Sequence, residues 1–595
     1  MNHQPSHSYY QKTLSTKQHK AIKAKRVSRW VGTTRLLLFL AICYTFYLFT
    51  NGLSFLYILL PLIPFAVLHI YDLKHQRYRN KLSILIKILE AEIASLEGDI
   101  SKFRDGKEYI DSKHNYSYDL EIFGQKSLFQ LINRTATKEG ADHLASLLQD
   151  TDRSAEEVRE NQKATKELSS KITWRQNILA EGWNTPLHIT PLKEAASDYK
   201  KIITSKGQIV IAILLTLFNI TAIVTASLGI LSPSIAIITV LLLIASAGAL
   251  AKKINKQQLL LDTTISSMRG LEQLLQLVYQ ESSTFQDTKL KRLAKSLCGE
   301  DDSFISEIKE LNSIISALDQ RANLVVAVLL NGLYFRDFWV VLRTDRWFIK
   351  NQNNVSRWLE HIAELDALCS LSHISYHYNT TTYPEVSQEK VYDAEEVVHP
   401  LIPKDEVVGN NIEIQQQHTI HIVTGANMAG KSTYLRTVGI NLILASTGST
   451  VFAKKMQFRP TALFSSMRNT DQLTEGISFF HAELIRLKQM RTHLESHQNS
   501  FILLDEILKG TNSEDKLKGS RIVLEKILDY PCSGIVATHD LELKHLEEEK
   551  PEHFHNYCFE FTYEEEEILF DYRLREGATQ KMNASYLLKK IFLES

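Results

Sequence analysis

Hydrophobic side chains crowd into two long stretches of this chain and are periodic elsewhere. Residues 36–70, "LLLFLAICYTFYLFTNGLSFLYILLPLIPFAVLHI", contain no Asp, Glu, Lys or Arg and carry an Asn51-Gly52 turn signal in the middle. Residues 208–251 form a second uncharged run, broken by "SLGILSPS" at 227–234. One membrane crossing takes roughly 20 apolar residues, so each run predicts two crossing helices joined by a tight turn. A third apolar stretch, 322–333, is shorter and runs into Arg336 and Asp337, which predicts a core helix. Residues 81–96, "KLSILIKILEAEIASL", place Leu82, Leu85, Leu89, Ile93 and Leu96 at helical spacing, as expected of an amphipathic connector leaving the membrane.

The patterning divides the chain into seven parts: a polar, basic tail over 1–30, a membrane hairpin over 31–72 and a connector helix over 73–118, followed by the first part of a helical core over 119–206. A second hairpin over 207–251, the rest of the core over 252–390 and an α/β domain over 391–595 complete it. The last boundary is where helix-formers give way to short β-rich runs alternating with helices, near Pro400 and Pro403. The fold class expected is therefore multidomain, with α-helical transmembrane hairpins, a helical core and a C-terminal α/β domain. The tail, "MNHQPSHSYYQKTLSTKQHKAIKAKR", is polar enough to be expected disordered, with its basic end near anionic lipid.

Charge orients the hairpins. Lys20, Lys23, Lys25, Arg26, Arg29 and Arg35 precede the first, and Lys74, Arg77 and Arg79 follow it; Lys200, Lys201 and Lys206 precede the second, and Lys252, Lys253 and Lys256 follow it. Positive flanks mark the cytoplasmic side, so an integral membrane protein with four helices and cytoplasmic soluble domains is expected. A net charge of +0 over 595 residues leaves no global footprint for nucleic acid. Five scattered cysteines form no C-x-x-C pair, and His553 and His555 lack further spaced ligands. The acidic runs at 547–550 and 564–567 fit solvated turns or strand edges.

Chemistry concentrates in the last domain. "TIHIV" is a β-branched strand, residues 425–432 spell G-x-x-x-x-G-K-S, and "TYLRTVGINLILA" continues as an apolar helix. This is a phosphate-binding loop in its strand-loop-helix context. Gly425 and Gly430 let the backbone turn its N–H groups towards phosphate, and the helix N-terminus adds partial positive charge. Lys431 is placed to reach the β- and γ-phosphates and Ser432 to ligate Mg²⁺. "FILLDEIL" at 501–508 is a buried strand ending in two acids: Asp505 suits the metal side, Glu506 the general base for water. "SGIVATHDLEL" then delivers His539 to the sheet edge where open α/β sheets bind ligands, as a sensor of the γ-phosphate.

"TGANMAGKSTYLRTVG", "LLDEILKGTNSED" and "VATHDLEL", in that order, resemble the ATPase domain of the MutS mismatch-repair family. The resemblance implies an ABC-type ATPase that uses ATP and Mg²⁺ and works as a homodimer through its ATPase domains. It implies that the loop residues Gly425, Ala426, Asn427, Met428, Ala429, Gly430, Lys431, Ser432 and Thr433 hold the nucleotide, with Ala426 and Ala429 replacing the family's Pro and second Gly. "EGISFFHAEL" matches the family signature, making Ser478 the residue that reaches the partner's γ-phosphate, and Gly510, Thr511, Asn512 and Ser513 match the loop after the acidic pair. "REGATQKMNASYLLKKI" resembles the C-terminal turn, without the expected glycine neighbourhood at Ala584. Upstream, "DLEIFGQKSLFQLINRTATKEGADHLASLL" resembles the start of the family's helical core, with a Thr137-x-x-Gly140 step before Leu144 and Leu148, and "LEHIAELDALCSLSHIS" and "VVHPLIP" resemble the segment entering the ATPase.

The family's mismatch-reading domain, with its Phe-x-Glu wedge, has no counterpart before the core, and the second hairpin takes the position of the DNA clamp. The expectation is a membrane-anchored MutS-like ATPase, with a DNA-binding capacity related to mismatch repair coming from the resemblance alone. The alternative is an ABC-transporter-like or membrane-remodelling ATPase with no DNA role. Against a transporter stand four crossings rather than six and the lack of an L-S-G-G-Q run.

Overall fold

The computed structural model describes residues 4–51, 56–184, 199–299, 303–319, 324–403, 405–468, 479–564 and 567–579. Ser478 and the closing segment around Ala584 lie outside the described residues.

The polar tail, expected disordered, is helical. Helix α1 (Gln4–Thr50) runs unbroken from the tail into the first apolar run, and α2 (Leu56–Leu96) returns beside it. Less exposed positions recur along α1 at alternating steps of three and four, from Tyr10 and Leu14 through Ala24 and Val31 to Leu38 and Ile42. That is the seam of two helices packed side by side. Arg35 donates to Asp72 at 2.6 Å, and His75 meets the Ala24 carbonyl at 3.0 Å, so the pairing extends beyond the apolar half. Docking at the far end orders the tail: Tyr10 is buried against His377, and the Ser6 hydroxyl donates to the His377 carbonyl at 3.4 Å.

A helical body follows, made of α3 (Leu128–Ile132), α4 (Lys138–Gln149), α5 (Ala155–Ser170) and α6 (Ile172–Asn184). Thr137 caps α4 by accepting from the Gly140 N–H at 2.9 Å, and Ser154 caps α5. Two apolar helices come next, α7 (Lys206–Ser227), opened by a Ser205–Gln208 capping box, and α8 (Pro233–Ser282), followed by α9 (Thr288–Cys298) and α10 (Ser303–Asp319). Then come α11 (Leu324–Tyr334) and the long α12 (Arg336–His377).

Among the described residues two helical segments, not the four expected, are long and apolar enough to cross a membrane, Ser6–Leu48 and Lys206–Ala226; Ser234–Gly248 is apolar but shorter. The returning helix α2 carries Pro61 and Pro64 in its apolar half. The stretch expected as a core helix, 322–333, belongs elsewhere: α11 packs on α7 and α8, where the Asn219 amide donates to the Gly332 and Leu333 carbonyls at 2.9 Å. Gly332 permits this approach, because a Cβ there would lie 3.1 Å from Val240. With no charged residue along it, α11 finds its apolar partners on the hairpin rather than in the core.

Helix α12 joins the units. Phe338, Val341 and Leu342 near its start pack with Ala212, Leu243 and Ala247 of the apolar pair; Trp358, Leu359 and Ile362 lie in the helical core; Leu371 and Ile374 enter the core shared with the α/β domain. Buried acids fasten neighbouring segments to it. Asp345 accepts from the Ile203 N–H at 2.8 Å and the Tyr199 hydroxyl at 2.8 Å. Asp366 accepts from the N–H groups of Ala136 and Thr137 at 2.9 and 2.8 Å and from the Thr137 hydroxyl at 2.8 Å; its burial pushes the carboxyl up to about 6.

The α/β domain holds two sheets. In order along the chain its elements are β1 (Glu385–Val386), β2 (Tyr392–Val397), β3 (Asn410–Ile414), β4 (Ile420–Gly425), α13 (Lys431–Thr447), β5 (Lys455–Phe458) and β6 (Ala462–Ser466). After them come α14 (Phe479–Ser496), β7 (Ser500–Asp505), α15 (Ser513–Ile527), β8 (Cys532–Thr538), α16 (His545–Glu549), β9 (Phe554–Glu564) and β10 (Glu567–Glu576). The larger sheet has the order β10-β9-β4-β8-β7-β6, parallel except for β10, and the smaller β1-β5-β2-β3. Strands β4, β7 and β8 are buried along nearly their whole length, which is why they read as continuous apolar runs. Asp119 joins core to sheet, accepting from the Ser465 hydroxyl at 2.8 Å and the Met467 and Arg468 N–H groups at 3.2 and 3.1 Å.

Replacing Asp366 strands buried donors. Asp366→Ala is expected to lower unfolding free energy by about 2–4 kcal/mol, and Asp366→Asn, which keeps an acceptor oxygen, by clearly less. Denaturant titration of the detergent-solubilised protein measures both, and equal losses would remove Asp366 as the tie between α4 and α12.

Candidate functional site

Register creates the site. Thr424 pairs with Thr538 and Asp505 with Ala537, so β4, β7 and β8 end level and release their loops at one edge of the sheet. The β4 strand ends at Gly425, whose φ of +153° and proximity to Phe559 exclude a side chain, since a Cβ would lie 2.8 Å from the Phe559 carbonyl oxygen. The loop closes at Gly430, in the left-handed region at φ +102°. A bulge between Phe570 and Leu574 turns Tyr572 over this glycine, leaving 3.1 Å to a Cβ built there. Between them Met428 is exposed at φ +68°, and Ala426 and Ala429 are buried.

The residues singled out by motif come together. The Lys431 ammonium donates to the Gly425 and Ala426 carbonyls at 2.8 and 2.9 Å and sits 3.2 Å from His539 Nε2. The Ser432 hydroxyl donates to Asp505 Oδ2 at 2.5 Å. Thr433, exposed one residue on, lines the same cavity. Glu506 is held at φ +57° with its N–H donating to the Ala537 carbonyl at 2.9 Å. Its carboxylate lies 3.6 Å from His539 Nε2, 3.8 Å from Lys516 and 3.9 Å from Lys509. Ser478 lies outside the described residues.

Electrostatics follow from crowding. Burial lowers the Lys431 ammonium to about 8, against the pull of Asp505 and Glu506. Burial and then the Lys431 charge lower His539, leaving Nε2 able to accept the lysine's proton in a hydrogen bond.

A cavity of about 890 Å³ opens over these groups. One wall is the loop with Asp505, Glu506 and His539; the other is His399, Leu401, Pro403, Tyr434, Phe559 and Tyr572. Burial lowers His399 to about 4, so it faces the cavity neutral. No motif announces this wall, although "VVHPLIP" at 397–403 carries part of it. Glu483 was also missed: buried on α14, it accepts from the Lys509 and Gly510 N–H groups at 2.9 and 3.1 Å and shapes the loop after the acidic pair.

A parallel sheet whose glycine loop runs into a helix beside a serine, paired acids and a histidine defines the class, an open α/β domain with its polar groups gathered at the strand ends. The family model described as MutS domain V matches residues 421–590. The DNA mismatch repair protein MutS of Persephonella marina is 30% identical over 259 residues, covering 42% of this chain and 29% of its own length. That of Aquifex pyrophilus is 32% identical over 233 residues, covering 38% and 27%. MutS protein homolog 4 of Mus musculus is 26% identical over 346 residues, covering 57% and 34%. Residues 421–590 are thus similar to MutS domain V, and the relatives matched over the wider region are named MutS. The chain spans about a third of the length of these relatives.

The Lys431 shift makes ligand binding pH-linked. A phosphate beside the ammonium raises its pKa again, so above pH 8 binding must draw in a proton, and affinity falls as pH rises. Calorimetry with ATP in two buffers of different ionisation enthalpy should show uptake approaching about one proton at pH 9 and close to none at pH 7. Equal uptake at both values would refute a buried, depressed Lys431.

Proposed function

We propose that this protein is a membrane-anchored ATPase of the MutS kind, binding and hydrolysing ATP in a composite site shared by two copies. The observation that carries this is the convergence of Lys431, Ser432, Asp505, Glu506 and His539 on one cavity. The N–H groups of residues 425–433 and the N-terminus of α13 face the phosphates, and Lys431 leaves its carbonyl partners for the β- and γ-phosphates. The Ser432 hydroxyl and Asp505 carboxylate, already side by side, are the hard oxygen pair that suits Mg²⁺. When bound, that ion neutralises charge developing on the phosphates. Glu506 orients and deprotonates the attacking water, and His539 contacts the γ-phosphate.

Exposed Phe480, Leu484 and Ile485 on α14, just after Ser478 in sequence, support a protein partner at this edge, with Ser478 completing the partner's site. Membrane anchoring is supported by the large side chains left exposed on the apolar helices, among them Leu37, Leu40, Phe46, Leu214, Leu217 and Leu241. The basic flanks support a cytoplasmic position for the soluble domains. DNA contact through the helical core is the role suggested by relatives named for mismatch repair.

Glu506→Gln should lower turnover by about 10²–10⁴-fold. The same variant should accumulate as an ATP-bound dimer, with light scattering showing the mass doubling on ATP addition. A monomer at saturating ATP would sink the composite site. Lys431→Ala should abolish hydrolysis, and undiminished turnover would exclude this loop.

The DNA role is tested by turnover of the solubilised protein with duplex, mismatched and branched DNA across a salt series. Phosphate contacts weaken steeply with salt, so DNA-dependent stimulation should fade as salt rises. Turnover indifferent to every DNA would instead assign the cycle to a membrane task.

A further inference from the structure

Far from the nucleotide cavity, three metal-capable side chains meet where the stalk of α1 and α2 joins the core. Glu92 comes from α2, and His373 and His377 stand one turn apart on α12, so both imidazoles leave the same face. His373 Nε2 lies 3.3 Å and His377 Nδ1 3.8 Å from Glu92 Oε2, and one ligand atom from each residue lies within 4.8 Å of the others. All three side chains are buried. Glu92 Oε2 and His373 Nε2 are enclosed and have no hydrogen-bond partner among the described residues. A buried carboxylate oxygen in that state calls for a counter-charge or a donor. A cavity of about 20 Å³ lined by Tyr10, Glu92, Cys369 and His373 adjoins the group, room for one water or ion.

We propose that Glu92, His373 and His377 form a binding site for a divalent transition metal of the zinc class, with water in the adjoining cavity as fourth ligand. Two imidazole nitrogens and one carboxylate oxygen are a borderline donor set, suited to zinc and unlike the all-oxygen shells of calcium or magnesium. Tetrahedral bonds of about 2.1 Å hold ligand atoms about 3.4 Å apart. Glu92 and His373 already have that spacing, and His377 Nδ1 lies within half an ångström of it at 3.8 Å. Arg134 donates to the other Glu92 oxygen at 2.9 Å and fixes the carboxylate's direction, as outer partners of metal ligands do. The positive charges of Arg134 and Arg175 beside the cavity weaken the site relative to a cysteine-rich structural zinc centre. A metal here rivets α2 to α12, which runs on into the nucleotide domain.

The test uses the full chain in detergent, purified without chelator. Elemental analysis should find about one zinc per chain. After stripping, Co²⁺ should give the visible bands of a four-coordinate nitrogen-oxygen site, and Zn²⁺ should raise the melting temperature. Glu92→Gln and His377→Ala should lose the cobalt bands while keeping the wild-type circular dichroism spectrum and elution volume. Stripped wild-type protein that shows neither bands nor a melting shift overturns the proposal, and so do variants that bind Co²⁺ as wild type does. Should the variants fail to fold, the cobalt titration of the wild-type protein decides alone.

Discussion

The candidate site depends on three parallel strands ending in step. A slip of one residue between β4 and β8 would turn every side chain on one of them to the opposite face. It would also separate Gly425 and Lys431 from His539. The pairing is guarded from below: a Cβ on Gly534 would fall 2.1 Å from the Ile502 carbonyl oxygen, so β8 can lie against β7 only with glycine there. Val423, Leu503 and Ile535 face one apolar core and Ile422, Ile502 and Val536 the other, so both faces of these strands are buried. The chemistry at the edge is thus held by packing far beneath it.

Helix α12 extends that rigidity through the molecule. One uninterrupted helix touches the apolar hairpin, the helical core and the α/β domain, and its buried Asp345 and Asp366 bind backbone N–H groups of two different segments. Asp119 acts comparably from the other side of the junction, where Gly439 on α13 sits against Leu120. Movement of α13 therefore presses on the start of the core through close-packed contacts.

What could be read in advance was local. Residues 425–432 and the Asp505-Glu506 pair announce themselves because their function requires fixed types at fixed spacing within a few positions. The apolar runs were visible for the same reason, since composition over a short window settles them. The opposite cavity wall was not, because His399 and Tyr572 arrive from distant strands and only a bulge in β10 aims the tyrosine. The order of the amino-terminal tail was hidden differently: its three-and-four spacing exists, but with Ala, Ser and Lys at many seam positions it carries little hydrophobic signal until α2 lies beside it. For α11, apolarity predicted a core helix, but Val328, Leu333 and Tyr334 are exposed and the helix packs on the hairpin, since one chain offers two apolar bodies and the stretch itself does not choose between them.

The paired stalk has a mechanical consequence. At 1.5 Å per residue, the 47 residues of α1 span about 70 Å, and its amino-terminal end is seated on α12 beside Tyr376 and His377. A rod of that length amplifies angle into displacement: a tilt of about 5° at the seated end carries the far end about 6 Å. Shifts too small to notice within the core become movements at the distant tip comparable to one turn of helix.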